Sequence, residues 1–161
     1  MTKILTLFLI FFLNYSVIKA VEFACSFEEV YPDGSIQNGL FLIKNQNMRY
    51  EYYDKNLYTI FKKEEDFYLV NNKDTENFQK IPDDRKQILN TVAEIANDYP
   101  NIDEYYETEN VLINIEKSNN NFFKRISIIS DQVTLSIYMN NCENKQIENR
   151  FFYYFPYFNY R

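Results

Sequence analysis

The stretch GLFLIKNQNMRYEYY, residues 39–53, decides the fold. Leu40, Phe41, Leu42 and Ile43 form an apolar run, residues 44–47 (KNQN) are a short Asn-rich break, and residues 48–53 (MRYEYY) alternate. Strand side chains point alternately to the two faces. Met48, Tyr50 and Tyr52 therefore share one face, and Arg49, Glu51 and Tyr53 the other. The stretch reads as two strands joined by a tight turn, showing one apolar, aromatic face. What covers that face decides what the protein does.

Outward from this hairpin the same pattern continues. Residues 22–31 alternate with Phe23, Cys25, Phe27 and Tyr31 on one side. The sequence Pro32-Asp33-Gly34-Ser35 is a turn signal, and residues 36–43 return as the partner strand. Beyond Tyr53, residues 57–62 and 67–70 flank another turn, and 77–81 forms a short strand. Residues 83–99 break the period: Ile88, Val92, Ile95 and Tyr99 are spaced as one helical stripe, with Asp83 placed to cap it and Pro100 to stop it. After a polar link at 101–110, strands resume with Val111, Ile113 and Ile115, then 122–130 and 133–140 around the turn Asp131-Gln132, and finally RFFYYFP at 150–156. This makes about nine strands and one helix, a mainly β (α+β) meander of the kind that forms a single antiparallel sheet or barrel.

The 161 residues leave room for one domain. Residues 1–20 read as a signal peptide: Lys3 is a basic n-region, ILTLFLIFFL (4–13) an apolar h-region, and Ala20 a small residue at the cut. That run is shorter than the roughly 20 residues needed to span a bilayer. The mature domain is then 21–161. Of 17 basic residues, loss of Lys3 and Lys19 leaves 15 against 23 acidic ones, a formal charge near −8. No basic cluster marks a nucleic-acid footprint. In an exported chain the even pair Cys25 and Cys142 suggests a disulfide; two small buried hydrophobes are the alternative, and their spacing fits no metal site.

The chain contains no histidine, and its only glycines are Gly34 and Gly39, so a His-based triad and a Gly-rich phosphate loop are both absent. The acidic pairs 28–29, 64–65 and 83–84 fall at turns or a helix start, where such residues are ordinarily solvated or capping groups. No catalytic residue, metal site or cofactor is expected, and an enzyme is disfavoured. Fifteen phenylalanines and 15 tyrosines with no tryptophan are a heavy load for one small core. The load has a compositional explanation, since Asn, Ile, Lys, Phe and Tyr share A/T-rich codons. It also suits an apolar concavity for a greasy ligand.

Three places resemble the periplasmic outer-membrane lipoprotein carriers, the LolA-like family. They are the opening FACSF (Phe23, Phe27) with Gly39 leading GLFLIK, the element MRYEY (48–52), and the aromatic closing segment IENRFFYYFP (147–156). The resemblance implies a half-open antiparallel β-barrel with a covering helix, and a periplasmic job without enzymatic chemistry. Such a carrier receives the acyl chains of a lipoprotein from an inner-membrane ABC transporter, crosses the periplasm as a monomer and surrenders its cargo at the outer membrane, where the acceptor is unspecified. Free acyl chains cost about 0.8 kcal/mol per CH₂ in water, so a shuttle must bury them reversibly. The acyl-chain cavity is expected to be lined by Phe23, Phe27, Leu42, Met48, Tyr50, Tyr52, Ile88, Val92, Leu135 and Ile137. The family's Arg-Pro dipeptide is replaced by Asn45-Gln46-Asn47, and the helix before the first strand is missing, which leaves Arg49 as the candidate gating residue. Two alternatives stand beside the carrier: a general hydrophobic-ligand or lipid-binding envelope protein, and a structural β-domain whose aromatics fill its core.

Overall fold

Turn residues that tolerate positive φ set the course of the chain in the computed structural model, which describes residues 21–153. Gly34 has φ +83° in the first turn, where the Asp33 carboxylate accepts from the Ser35 N–H (2.9 Å) and hydroxyl (2.7 Å). Asn45 at +54° and Glu64 at +55° make the next two-residue turns, the left-handed conformation that tight hairpins require. Between these turns run β1 (Glu22–Val30), β2 (Ile36–Lys44), β3 (Asn47–Tyr52), β4 (Tyr58–Lys63), β5 (Asp66–Asn71) and β6 (Phe78–Lys80). Helix α1 (Gln87–Asn97) follows, and then β7 (Tyr105–Glu107), β8 (Val111–Lys117), β9 (Phe123–Ser130) and β10 (Thr134–Asn144).

All ten strands form one sheet in the order β6-β5-β4-β3-β2-β1-β10-β9-β8-β7. Every neighbouring pair is antiparallel. The centre is β1, which pairs with β2 on one side and β10 on the other. The sheet is open between β6 and β7, and α1 lies in the chain between those two free edges.

One face of the sheet carries the main core. Phe23, Cys25 and Phe27 from β1, Phe41 and Ile43 from β2, and Met48 and Tyr50 from β3 join Ile113, Ile115, Ile126, Ile128, Ile137 and Met139 from the other half. Helix α1 closes on this inner face through Val92, Ala93, Ile95 and Ala96. The outer face has a smaller cluster of Ala24 and Leu42 under Ile147 and Phe152. A C-terminal strap covers it there. The Ile147 N–H donates to the Glu22 carboxylate, Lys44 donates to the Ile147 carbonyl, and Glu22 and Lys44 pair at 3.4 Å.

Cys25 and Cys142 form a disulfide with Cα atoms 4.1 Å apart, joining β1 to β10 across 117 residues of sequence. The bridge sits at a bulge where Ala24 pairs with Glu143 but Ser26 pairs with Asn140, so β10 carries one residue more. Asn141 absorbs it at φ +52°.

The mainly β meander with one helix is the architecture that the spacing predicts, with four local differences. The expected strand at 150–156 is instead a 3₁₀ turn, Asn149–Phe152. Both edges of β1 are already taken, so Phe152 packs on the outer face rather than in the ladder; residues 154–156 lie outside the described residues. The link 101–110 contains β7, whose Tyr105 and Glu107 are exposed and so show no apolar alternation. Asp83 starts a short 3₁₀ turn instead of capping the helix, its carboxylate engaging Lys86 at 2.7 Å. Finally, β10 runs on to Asn144 past its bulge. The segment 1–20, read as a signal peptide, also lies outside the described residues.

Candidate functional site

The hairpin β2–β3 sets which side chains face inward. Its two-residue turn pairs Ile43 with Met48, Phe41 with Tyr50 and Gly39 with Tyr52. Since cross-strand partners share a face, inward Met48, Tyr50 and Tyr52 force Ile43, Phe41 and Gly39 inward as well. Leu42 pairs with Arg49 and faces outward.

Nine of the ten residues expected to line a cavity are brought into the inner cluster: Phe23, Phe27, Met48, Tyr50, Val92 and Ile137 as buried members, and Tyr52, Ile88 and Leu135 packed against them. Leu42 is a correction. It lies on the outer face with Ala24, Ile147 and Phe152, because the four-residue apolar run 40–43 has no alternation of its own and only the turn sets its parity. Arg49, the candidate gating residue, faces outward with Glu51, as the alternation of β3 predicts. Its guanidinium engages Glu51 (2.7 Å), donates to the Phe151 carbonyl (3.0 Å) and lies over the Phe61 ring at 4.8 Å. Phe151 belongs to the C-terminal strap, on the opposite face of the sheet from α1.

Gly39 shapes the inner face between β1 and β3. With no side chain there, the Phe27 ring crosses β2 to stack on Tyr50, centroids 4.1 Å apart and planes 18° from parallel. Tyr52 meets the same phenylalanine edge-on at 5.5 Å, and Phe41 meets Tyr50 at 5.9 Å. At the far end of β1, Phe23 contacts Phe41, Phe122, Phe123 and Tyr99, the last just beyond α1. Phe23, Phe41 and Phe67 are 0% exposed. The inner face is thus packed with aromatic rings beneath the helix.

Among the described residues, two buried charged side chains share this face. Lys62, opposite Met48 and Phe67, donates to the Glu64 backbone carbonyl in the β4–β5 turn. The other is Glu29, whose place beside Glu28 looks like half of an ordinary acidic pair. Glu29 follows Phe27 in the inward parity of β1 and is 4% exposed. The Tyr52 hydroxyl donates to its carboxylate at 2.6 Å and that of Tyr50 at 3.4 Å. Desolvation raises the Glu29 pKa above its ordinary value of 4.5, while hydrogen bonds from Tyr52, Tyr31 and Tyr50 act in the opposite direction. The same burial, with the Glu29 charge beside them, pushes the Tyr50 and Tyr52 phenols up. Inward alternation through Phe23, Cys25, Phe27 and Glu29 was the available signal.

A separate cleft of about 180 Å³ lies near the N-terminal end of α1, between Asp84, Arg85, Gln87, Ile88 and the strand ends at Asn110, Val111 and Ser130–Gln132. Of the expected lining residues only Ile88 reaches it. Among the described residues, no cluster of three or more His, Cys, Asp or Glu is placed to hold a metal ion, and no helix is long and apolar enough to cross a membrane.

Neither a scan against protein-family models nor a search of curated proteins finds a match to this chain.

Proposed function

We propose that the chain is a LolA-like half-barrel carrier, exported to the periplasm, that binds lipoprotein acyl chains on its inner face without catalysing a reaction. The observation that carries this reading is the position of α1. The helix links the two free edges of an open sheet and covers its aromatic face. Among the described residues it makes no backbone hydrogen bond to a strand. Swinging it aside would expose Phe23, Phe27, Met48, Tyr50 and Ile137 while leaving every strand pairing intact. Met and aromatic side chains suit graded, reversible contact with hydrocarbon. In this reading the cargo arrives from an inner-membrane lipoprotein-releasing ABC transporter and leaves at the outer membrane.

The tight filling of the inner face favours a second reading, a structural β-domain whose aromatics serve only as core. A general lipid-binding envelope protein lies between the two. Incubating the purified protein with a triacylated lipoprotein separates them. A soluble one-to-one complex is expected of the carrier. Binding of an apolar dye or fatty acid without the lipoprotein complex points to the general lipid binder. Absence of both leaves the filled-core reading.

A further inference from the structure

Glu29 is the one acidic side chain that β1 turns inward, and its hydrogen-bond partners Tyr50 and Tyr52 bring no counter-charge. Among the described residues no lysine or arginine forms an ion pair with it. Its partners are neutral phenols: Tyr52 and Tyr50 donate to the carboxylate, and Tyr31, just past the end of β1, also hydrogen-bonds it. Gln37, opposite it on β2, and Ile137, opposite it on β10, add no charge. A buried carboxylate held only by neutral donors is a costly arrangement. A ligand cation would supply what the protein does not.

The surrounding rings favour the same ligand. Aromatic faces carry negative potential and attract organic cations, most strongly where water is excluded. Tyr31 and Tyr52 are half-buried, so the carboxylate lies one side chain below the surface. On its inner side Tyr50 and Tyr52 pass directly into Phe27 and Phe41. A polar end joined to an apolar wall matches a molecule built the same way. An anionic head group would meet like charge at Glu29.

We propose that Glu29, with Tyr31, Tyr50 and Tyr52, is a binding site for an alkylammonium group, the cationic head of an amphiphile whose chain lies along Phe27 and Phe41. The placement of the chain rests on the carrier reading; the head-group site does not. The test compares dodecyltrimethylammonium with dodecyl maltoside, equal in chain and different in charge, by titration calorimetry below their micelle concentrations. About 1 M salt, where the Debye length is roughly 3 Å, suppresses the attraction of the acidic surface. The cation is expected to bind roughly tenfold more tightly, in line with a desolvated cation–π and carboxylate contact. That gap should vanish in Glu29→Gln, which keeps the size and an acceptor for Tyr52. In Tyr52→Phe, which keeps the ring and frees the carboxylate of one donor, the preference should persist or grow. Equal affinities in the wild type, a gap that survives Glu29→Gln, or a preference lost in Tyr52→Phe would each overturn the site. If the neutral amphiphile does not bind at all, the carrier reading fails on its own. Tetramethylammonium then decides the head-group site: saturable shifts of tyrosine ring resonances that Glu29→Gln abolishes retain it, and no shifts overturn it.

Discussion

Two inner-face residues carry most of the chemistry visible at the residue scale. Gly39 owes its identity to close approach, since a Cβ there would overlap the Phe27 ring and the Glu51 carbonyl oxygen. Forcing extra atoms into a packed site costs about 1–3 kcal/mol. Gly39→Ala is therefore expected to lower the urea midpoint by an amount in that range and to break the Phe27–Tyr50 stack, seen as a change in near-ultraviolet circular dichroism. Glu29 makes a pH prediction. Its pKa is raised on folding, so between 4.5 and the higher folded value the native chain holds more protons than the unfolded one. Stability then falls as pH rises through that window and levels off above it. Glu29→Gln removes this decline, so the variant should gain stability on wild type as pH rises from about 4.5 through that window and hold the gain above it. Parallel denaturation curves across that range would refute the linkage.

At the scale of elements the contrast is between the helix and the strands around β1. Helix α1 is held by the packing of Val92, Ala93, Ile95 and Ala96 and by a few side-chain contacts near its ends, such as the Gln87 amide to the Thr108 hydroxyl at 3.3 Å. The central strands are held by ladders on both edges and by the disulfide. Local opening follows such differences. Amides of residues 87–97 are expected to exchange with solvent well before those of β1 and β2, and equal protection would argue against a movable cover. Ile95, 1% exposed, should cost about 2–5 kcal/mol when truncated to alanine. The C-terminal strap is the opposite device. Ile147, Phe152 and the Arg49 bond to Phe151 close the outer face over Ala24 and Leu42, while Ile129 and Tyr138 stay exposed elsewhere on that face.

For the whole molecule the decisive link is between its two ends. Strand β1 pairs with β10, and Cys25–Cys142 staples that pairing across 117 residues. In the chain-entropy account, a bridge closing so long a loop contributes several kcal/mol, and loss of a native disulfide from a small domain typically costs about 2–5 kcal/mol. Reduction, or the double substitution Cys25→Ala with Cys142→Ala, is expected to destabilise the fold by that order in urea unfolding. An alkylating reagent should add no mass to the unreduced protein. Both halves of the sheet should lose protection together, because the bridge joins them at the central seam.

Period and turn chemistry made much of this legible in advance. Alternation in 22–31 and 48–53, the Pro32–Ser35 turn and the stripe Ile88, Val92, Ile95 specify strands, a hairpin and a helix locally, because side-chain spacing follows backbone geometry. The pairing of the cysteines was open to counting. What stayed hidden depended on contacts distant in the chain. Leu42 and Phe41 are equally apolar neighbours, and only the pairing across Asn45-Gln46 decides which faces inward. Strand β7 lacks apolar alternation and exists because β8 offers it an edge. Phe152 has strand-like neighbours but finds no free edge, and packs on the outer face. Glu29 looks like any surface acid beside Glu28 until β3 places Tyr50 and Tyr52 over it. The sequence by itself determined the elements and their apolar stripes, which are set by local periodicity. The tertiary structure alone decided the faces, the central β1–β10 seam and the buried charge, because these arise from pairings between residues far apart in the chain.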